Sequence, residues 1–434
     1  MSQINCKRAE PLAVTASLNG KRPSLRSGFT LVELLVVISI AVVLAAVLLP
    51  TTKTLLQDQK LTEGVRLARS MFETARAQAI ATGKPVGLMI DRLDSTTALG
   101  RSSGARMRVV VGRPSFTGDS ESSRAWVYHS SDPLAILPGQ PEVPNAACFN
   151  PADNALLYRS AQAISSGNGI PPIKVGDVLL LGNGRKRLRI TDIRFCQTGE
   201  PPEVAGKPNW SQWVRVLFNP IGIDSPVAMN SYPPVADQAF GDGIDSLYRY
   251  RIERSPLQLP ATQAVDLPRG ISFDLNYSGL GVQGFEFSPA AIDPDPAFVN
   301  WQANPPAIND FQSIVVMFAA DGSVDRVYWG EAAGGNIGLS ARAATAPVHF
   351  LIGRADQVRS RPSDFFIRDN RSSANILDPE AVWLTVNPSS GAIFTAPNAA
   401  IAPPVSASDL ATALRGGIEN ARRLTFVSSE TGLD

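Results

Sequence analysis

Between Leu31 and Leu49 the chain is hydrocarbon on every face of a helix, broken by one carboxylate, Glu33, and one hydroxyl, Ser39. A helix in a soluble core is apolar along one stripe, not all round. The run approaches the roughly 20 residues that a helix needs to cross the hydrocarbon layer of a bilayer, and it predicts a transmembrane helix over 31–49. The flanks orient it. Lys7, Arg8, Lys21, Arg22 and Arg26 precede it against Glu10 alone, whereas Lys53, Asp58, Lys60 and Glu63 follow as a mixed set. The excess of cations on the leading side predicts a cytoplasmic N-terminus and a single pass, with the rest of the chain beyond the membrane.

Glu33 is the anomaly in this run. A charge at the centre of an apolar span costs roughly 2.5–3.5 kcal/mol on insertion scales, less near an end, and such a charge is usually paired. The stretch Gly28-Phe29-Thr30-Leu31-Val32-Glu33, leading into an apolar helix of this length, resembles the N-terminal signal of the type IV pilin and pseudopilin family. The resemblance implies a basic leader over 1–28, cut by a prepilin peptidase between Gly28 and Phe29. It implies N-methylation of Phe29 and an assembly role for Glu33, pairing with the terminal amine of a neighbouring subunit. Cleavage creates that amine, and methylation leaves its charge in place. Phe29 lies four residues before Glu33, on the same helical face.

Beyond Pro50, which predicts a bend rather than an end, the helical pattern resumes. Leu61, Val65, Ala68, Phe72, Ala75 and Ala79 recur in steps of three and four, an apolar stripe suited to packing on a sheet. Gly83 with Pro85 predicts the stop, so the long helix is expected over 29–82. At about 1.5 Å per residue it would be about 80 Å long. The passage "ARAQAIATGKPVGLMI" (75–90) resembles the point where helix gives way to strand in the H-type minor pseudopilins of type II secretion.

The remainder, 83–434, reads as a β-rich head. Strand-like runs occur at 106–112, 125–130, 177–193, 213–219, 246–254, 270–275, 313–330, 349–354 and 381–396. Hairpin turns are expected at Gly182-Asn183-Gly184, Asp321-Gly322 and Pro388-Ser389-Ser390-Gly391, and Ser408 is placed to cap a last helix running to about Arg423. Strands joined by turns predict antiparallel pairing, hence an α+β fold: a long N-terminal helix on an antiparallel sheet. Proline-rich stretches at 133–151 and 256–260 bracket an expected inserted β subdomain at about 140–245.

Catalytic signatures are missing. The sequence contains no nucleophile elbow, no P-loop and no HExxH, so no enzyme activity and no cofactor are expected. The two histidines, His129 and His349, have no acid–base company in sequence. Three cysteines without a CxxC pair argue against a zinc site. Removal of the leader takes Cys6 and leaves Cys148 and Cys196, either as a disulfide in an oxidising compartment or as two buried thiols. Asp237, Asp242 and Asp245 form a weak calcium candidate, with turn formation the simpler account. Arg185, Lys186, Arg187 and Arg189 suit a solvated face, and no interleaved aromatics suggest a nucleic-acid platform. A net charge of +1 gives no overall attraction to polyanions.

The resemblance therefore implies a minor pseudopilin or pilin-like structural subunit, inserted in the bacterial inner membrane with a periplasmic head and then drawn into a periplasmic filament. Its implied partners are the prepilin peptidase, other pseudopilins or pilins, the inner-membrane assembly platform and membrane lipid. The alternative is a tip adhesin or DNA-uptake minor pilin that binds a ligand through the enlarged head. An anchored enzyme is a third reading.

Overall fold

The computed structural model describes residues 30–94, 97–128, 145–182, 187–196, 213–220, 238–240, 245–258, 263–289, 313–333, 336–360, 373–399, 401 and 410–431. Helix α1 (Leu31–Thr82) opens it and does not end at Pro50. The chain divides into two compact units, Met1–Leu56 and Gln57–Asp434. Within the first, every described side chain from Leu31 to Val43 is exposed. Within the second, the six residues of the predicted stripe, Leu61 to Ala79, are all buried in one apolar cluster. Gly83 ends the helix at φ +63°, a left-handed conformation that glycine adopts without a Cβ penalty, and its N–H returns to the Ala79 carbonyl at 3.0 Å.

Two strands follow, β1 (Val86–Arg92) and β2 (Ser103–Val111), with the short helix α2 (Ala98–Ser102) between them. Next come β3 (Ala125–Tyr128), β4 (Ala146–Phe149), helix α3 (Ala155–Ser166), β5 (Val178–Leu181) and β6 (Arg187–Phe195). After these are β7 (Val214–Pro220), β8 (Gln238–Phe240), β9 (Asp245–Tyr248) and β10 (Tyr250–Glu253). The chain then returns through β11 (Leu257–Gln258), β12 (Val265–Asp266), β13 (Ile271–Leu280), β14 (Ile314–Phe318) and β15 (Val324–Ala333). It closes with β16 (Asn336–Arg342), β17 (Val348–Arg354), β18 (Val382–Val386), β19 (Ile393–Pro397) and helices α4 (Leu410–Ala421) and α5 (Arg423–Thr431).

These strands make two antiparallel sheets. The first has the order β16-β15-β14-β1-β2-β13-β17-β18-β19, with β11 and β12 also paired to β2. One face receives α1. Phe72 of the helix stands 5.6 Å from the Phe350 ring, which also meets Phe273 at 5.7 Å and Phe287 at 5.3 Å. On the other face a separate cluster joins Tyr277, Leu351 and Trp383 to Ile418 and Ala421 of α4. The arrangement is a helix and an antiparallel sheet in layers, in accord with the α+β expectation. The hairpins turning at Asp321-Gly322 and around Pro388–Gly391 join β14 to β15 and β18 to β19.

The second sheet has the order β10-β5-β6-β7-β4-β3-β9-β8. Its first named strand in the chain starts at Ala125 and its last ends at Glu253, so it reaches further on both sides than the segment expected at about 140–245. The run 246–254, read as one strand, serves one edge of this sheet and the strand next to the other edge. Its first half, β9, pairs with β3. Its second half, β10, pairs with β5. Only Arg249 separates them, so the sheet curls until β10 at one edge comes up to β9, the strand inside β8. A core of its own fills the inside, including Phe149, Ile190, Phe218 and Tyr250, with Leu157 and Ala161 of α3 packed into it.

The two connections between the sheets are tied together. Arg113 Nε donates to the Ser255 carbonyl at 2.8 Å and its Nη2 lies 3.7 Å from Asp177. Asp177 in turn accepts the Ser255 N–H at 2.8 Å. A second bridge runs from Arg326 of β15 to Glu253 of β10 at 3.0 Å, and Glu253 also holds Arg187 of β6 at 2.9 Å.

Candidate functional site

The N-terminus of α1 is built from Thr30 and Glu33. Thr30 precedes the first helical residue, so its position is the N-cap, and Glu33 is the third helical residue. The Glu33 N–H donates to Thr30 Oγ1 at 3.3 Å. In return Glu33 Oε2 accepts the Thr30 N–H at 2.8 Å and the Thr30 hydroxyl at 2.9 Å. This reciprocal arrangement is a capping box, which satisfies backbone donors that the helix itself leaves without partners. It also sets a negative charge at the positive end of the helix dipole. The sequence reading gave Glu33 no partner within its own chain; the Thr-x-x-Glu spacing was the signal that identifies one.

Past the cap the helix offers hydrocarbon to its surroundings. Leu31 is 78% exposed and Val43 64% exposed, with Ser39 turned back onto the Val36 carbonyl at 2.8 Å. An exposed apolar surface of this extent marks a membrane or protein contact. Among the described residues no helix is long and apolar enough to cross a membrane. The predicted span runs on to Leu49, and the side chains of 44–56 are outside the described residues. Gly28 and Phe29, the predicted cleavage and methylation positions, are outside them as well.

The other candidates are scattered. Cys148 and Cys196 come together as free, buried thiols with Sγ atoms 2.8 Å apart. Burial, and then the neighbouring Cys196, push the Cys148 thiol well up from its ordinary range. Asp245 opens β9, while Asp237 and Asp242 are outside the described residues. Among the described residues no group of three or more His, Cys, Asp or Glu side chains is arranged to hold a metal. Of the four hairpin cations, Arg185 and Lys186 are outside the described residues; Arg187 is committed to Glu253 and Arg189 is buried. His129 is also outside. His349 is buried, its Nδ1 2.9 Å from the Thr385 hydroxyl, and burial and then Arg422 push it well below the usual imidazole range. It is a neutral core histidine.

Arg422 is a structural cation that sequence reasoning missed. It is fully buried over the Trp383 ring, 4.9 Å from its centroid. Its Nη2 donates to the carbonyls of Tyr277 at 2.7 Å and Gly284 at 2.8 Å. These bonds fasten the C-terminal helices to β13 and the turn after it. An open groove of about 740 Å³ crosses β1 and β2, and two ion pairs lie within it. Arg106 pairs with Asp266 at 2.8 Å and Arg108 with Asp91 at 2.9 Å.

Comparison with known proteins returns to the capped helix. Residues 23–49 match the family model described as the prokaryotic N-terminal methylation motif. The match brackets Gly28, Phe29, Thr30 and Glu33 and is a signal of the type IV pilin and pseudopilin kind. A signal of this kind implies a membrane-anchored subunit, processed by a prepilin peptidase and assembled with other pilin-type subunits. No curated protein and no solved structure matches the chain.

Proposed function

We propose that the chain is a minor pseudopilin-like structural subunit, without catalysis of its own, of a type II secretion or type IV pilus-like filament. The apolar helix crosses the inner membrane with the basic leader in the cytoplasm and the head in the periplasm. Prepilin peptidase cuts between Gly28 and Phe29, and Phe29 becomes the N-methylated terminus. The subunit then leaves the bilayer sideways into a growing filament, where apolar helices replace lipid around one another.

The observation that carries this reading is the capped acid at the head of an exposed hydrocarbon helix. Both Thr30 bonds end on Oε2 of Glu33, so the carboxylate is held at the helix end. A cationic amine from the next subunit offsets the cost of carrying this charge among apolar helices. The long helix running from the motif into a buried stripe on a sheet supports the same reading, as does the likeness of 75–90 to H-type minor pseudopilins.

Glu33→Leu tests it. The variant keeps Gly28 and Phe29, so it is expected to be cleaved normally and to be lost from sheared filaments, read by immunoblot of the membrane and filament fractions. Incorporation at the wild-type level would refute the pairing. The second sheet, with a core separate from the one under α1, favours the alternative of a tip subunit that binds a ligand through its head. Retention of DNA or secreted protein on the immobilised full chain would support that alternative.

A further inference from the structure

Two thiols meet on the face of the second sheet opposite α3. Cys148 lies in β4 across from Arg215 of β7. Cys196 follows β6, and its N–H donates to the Trp213 carbonyl at 2.9 Å. Strands β4 and β6 flank β7 on either side, so the two side chains reach over one strand from opposite neighbours. Around them pack Trp126, Tyr128, Ala146 and Leu217. The 2.8 Å between the sulfurs lies between a bonded length of about 2.05 Å and ordinary contact. The metal alternative lacks further ligands among the described residues.

We infer that Cys148 and Cys196 form a structural disulfide that staples β4 to β6 across β7 in the mature protein. The inference rests on the periplasmic placement of the head proposed above. Each thiol gives up its proton, a bond forms between the sulfurs, and two electrons pass to the disulfide of a thiol–disulfide oxidoreductase, which leaves as a dithiol. Exchange needs a sulfur that the oxidoreductase can reach, and both sulfurs are buried in the folded head. The bond therefore forms while the chain folds, before β4 and β6 close over it. A chain beginning at Phe29 has no third cysteine to mispair with.

The test uses the full chain made from its own signal in a bacterium with an oxidising periplasm. Cells are lysed in denaturant with N-ethylmaleimide, and the protein is digested without reductant and weighed. The expected result is one linked peptide pair carrying Cys148 and Cys196, two hydrogens lighter than the separate peptides and parted by reductant. External protease applied to spheroplasts reports, in parallel, on which side the head lies. Alkylated Cys148 and Cys196 in a head that protease reaches would overturn the disulfide alone. Alkylated cysteines in a shielded head would overturn the periplasmic placement and the disulfide with it.

Discussion

Asp274 is a carboxyl folded into the interior of the head. Burial pushes it up to about 7, against the opposing pull of its hydrogen bonds from Asn375 and the Asn276 N–H and of the Arg359 charge. The folded chain thus keeps this proton at pH values where the unfolded chain, with an aspartate near 3.8, has released it. Stability from this group is complete below the unfolded value and drains away as pH rises toward about 7. Asp274→Asn removes the titration. The difference in urea unfolding free energy between wild type and variant is expected to fall between pH 4 and 7 by up to about 1.4 kcal/mol per unit, then level off. Parallel curves would contradict this. Asp274 was not legible beforehand. It reads as an ordinary polar position in a strand, and its burial depends on Asn375, about a hundred residues on, which donates to it at 3.0 Å, a tertiary event. Glu33 was legible as an anomaly of charge in hydrocarbon, and its bond to Thr30 is legible in the Thr-x-x-Glu spacing.

At the scale of elements, periodicity carried furthest where one face of an element meets one neighbour. The stripe from Leu61 to Ala79 was readable because a helix repeats every 3.6 residues, and all six positions are buried. Phe72 sits at its centre against Phe350. Phe72→Ala is expected to destabilise the head by about 3–5 kcal/mol, measured by urea unfolding of the detergent-solubilised chain. The turns at Gly322 and Gly391 were also readable, but their meeting was not. A Cβ on Gly391 would stand 1.8 Å from the Gly322 carbonyl oxygen, whereas one on Gly83 meets nothing within 4 Å. Both glycines hold positive φ. Gly83→Ala is expected to cost only the left-handed penalty of roughly 1–2 kcal/mol. Gly391→Ala is expected to cost more, because the backbone of the facing turn has to move. Equal melting temperatures for the two variants would count against the close packing of the turns. What periodicity could not reveal is which distant strands become neighbours. β1 is flanked by β2, next in the chain, and by β14 from more than two hundred residues on.

For the whole molecule, the sequence carries two signals of unequal strength. The N-terminal motif is local, so its residues are read where they stand. The second sheet is not local. It starts before the first proline-rich stretch expected to bound it and ends just ahead of the second, and one extended run, 245–253, supplies both the strand at one edge and the strand next to the other edge. Its attachment depends on Arg113, Asp177 and Ser255, which are far apart in the chain and together only in the fold. The account rests on the fate of the other end. The direct measurement is intact and N-terminal peptide mass spectrometry of the protein recovered from its native membrane. A terminus at Phe29 carrying one methyl group is the predicted result. A chain that still begins at Met1, or one trimmed within the apolar run beyond Leu44, would contradict the filament-subunit reading.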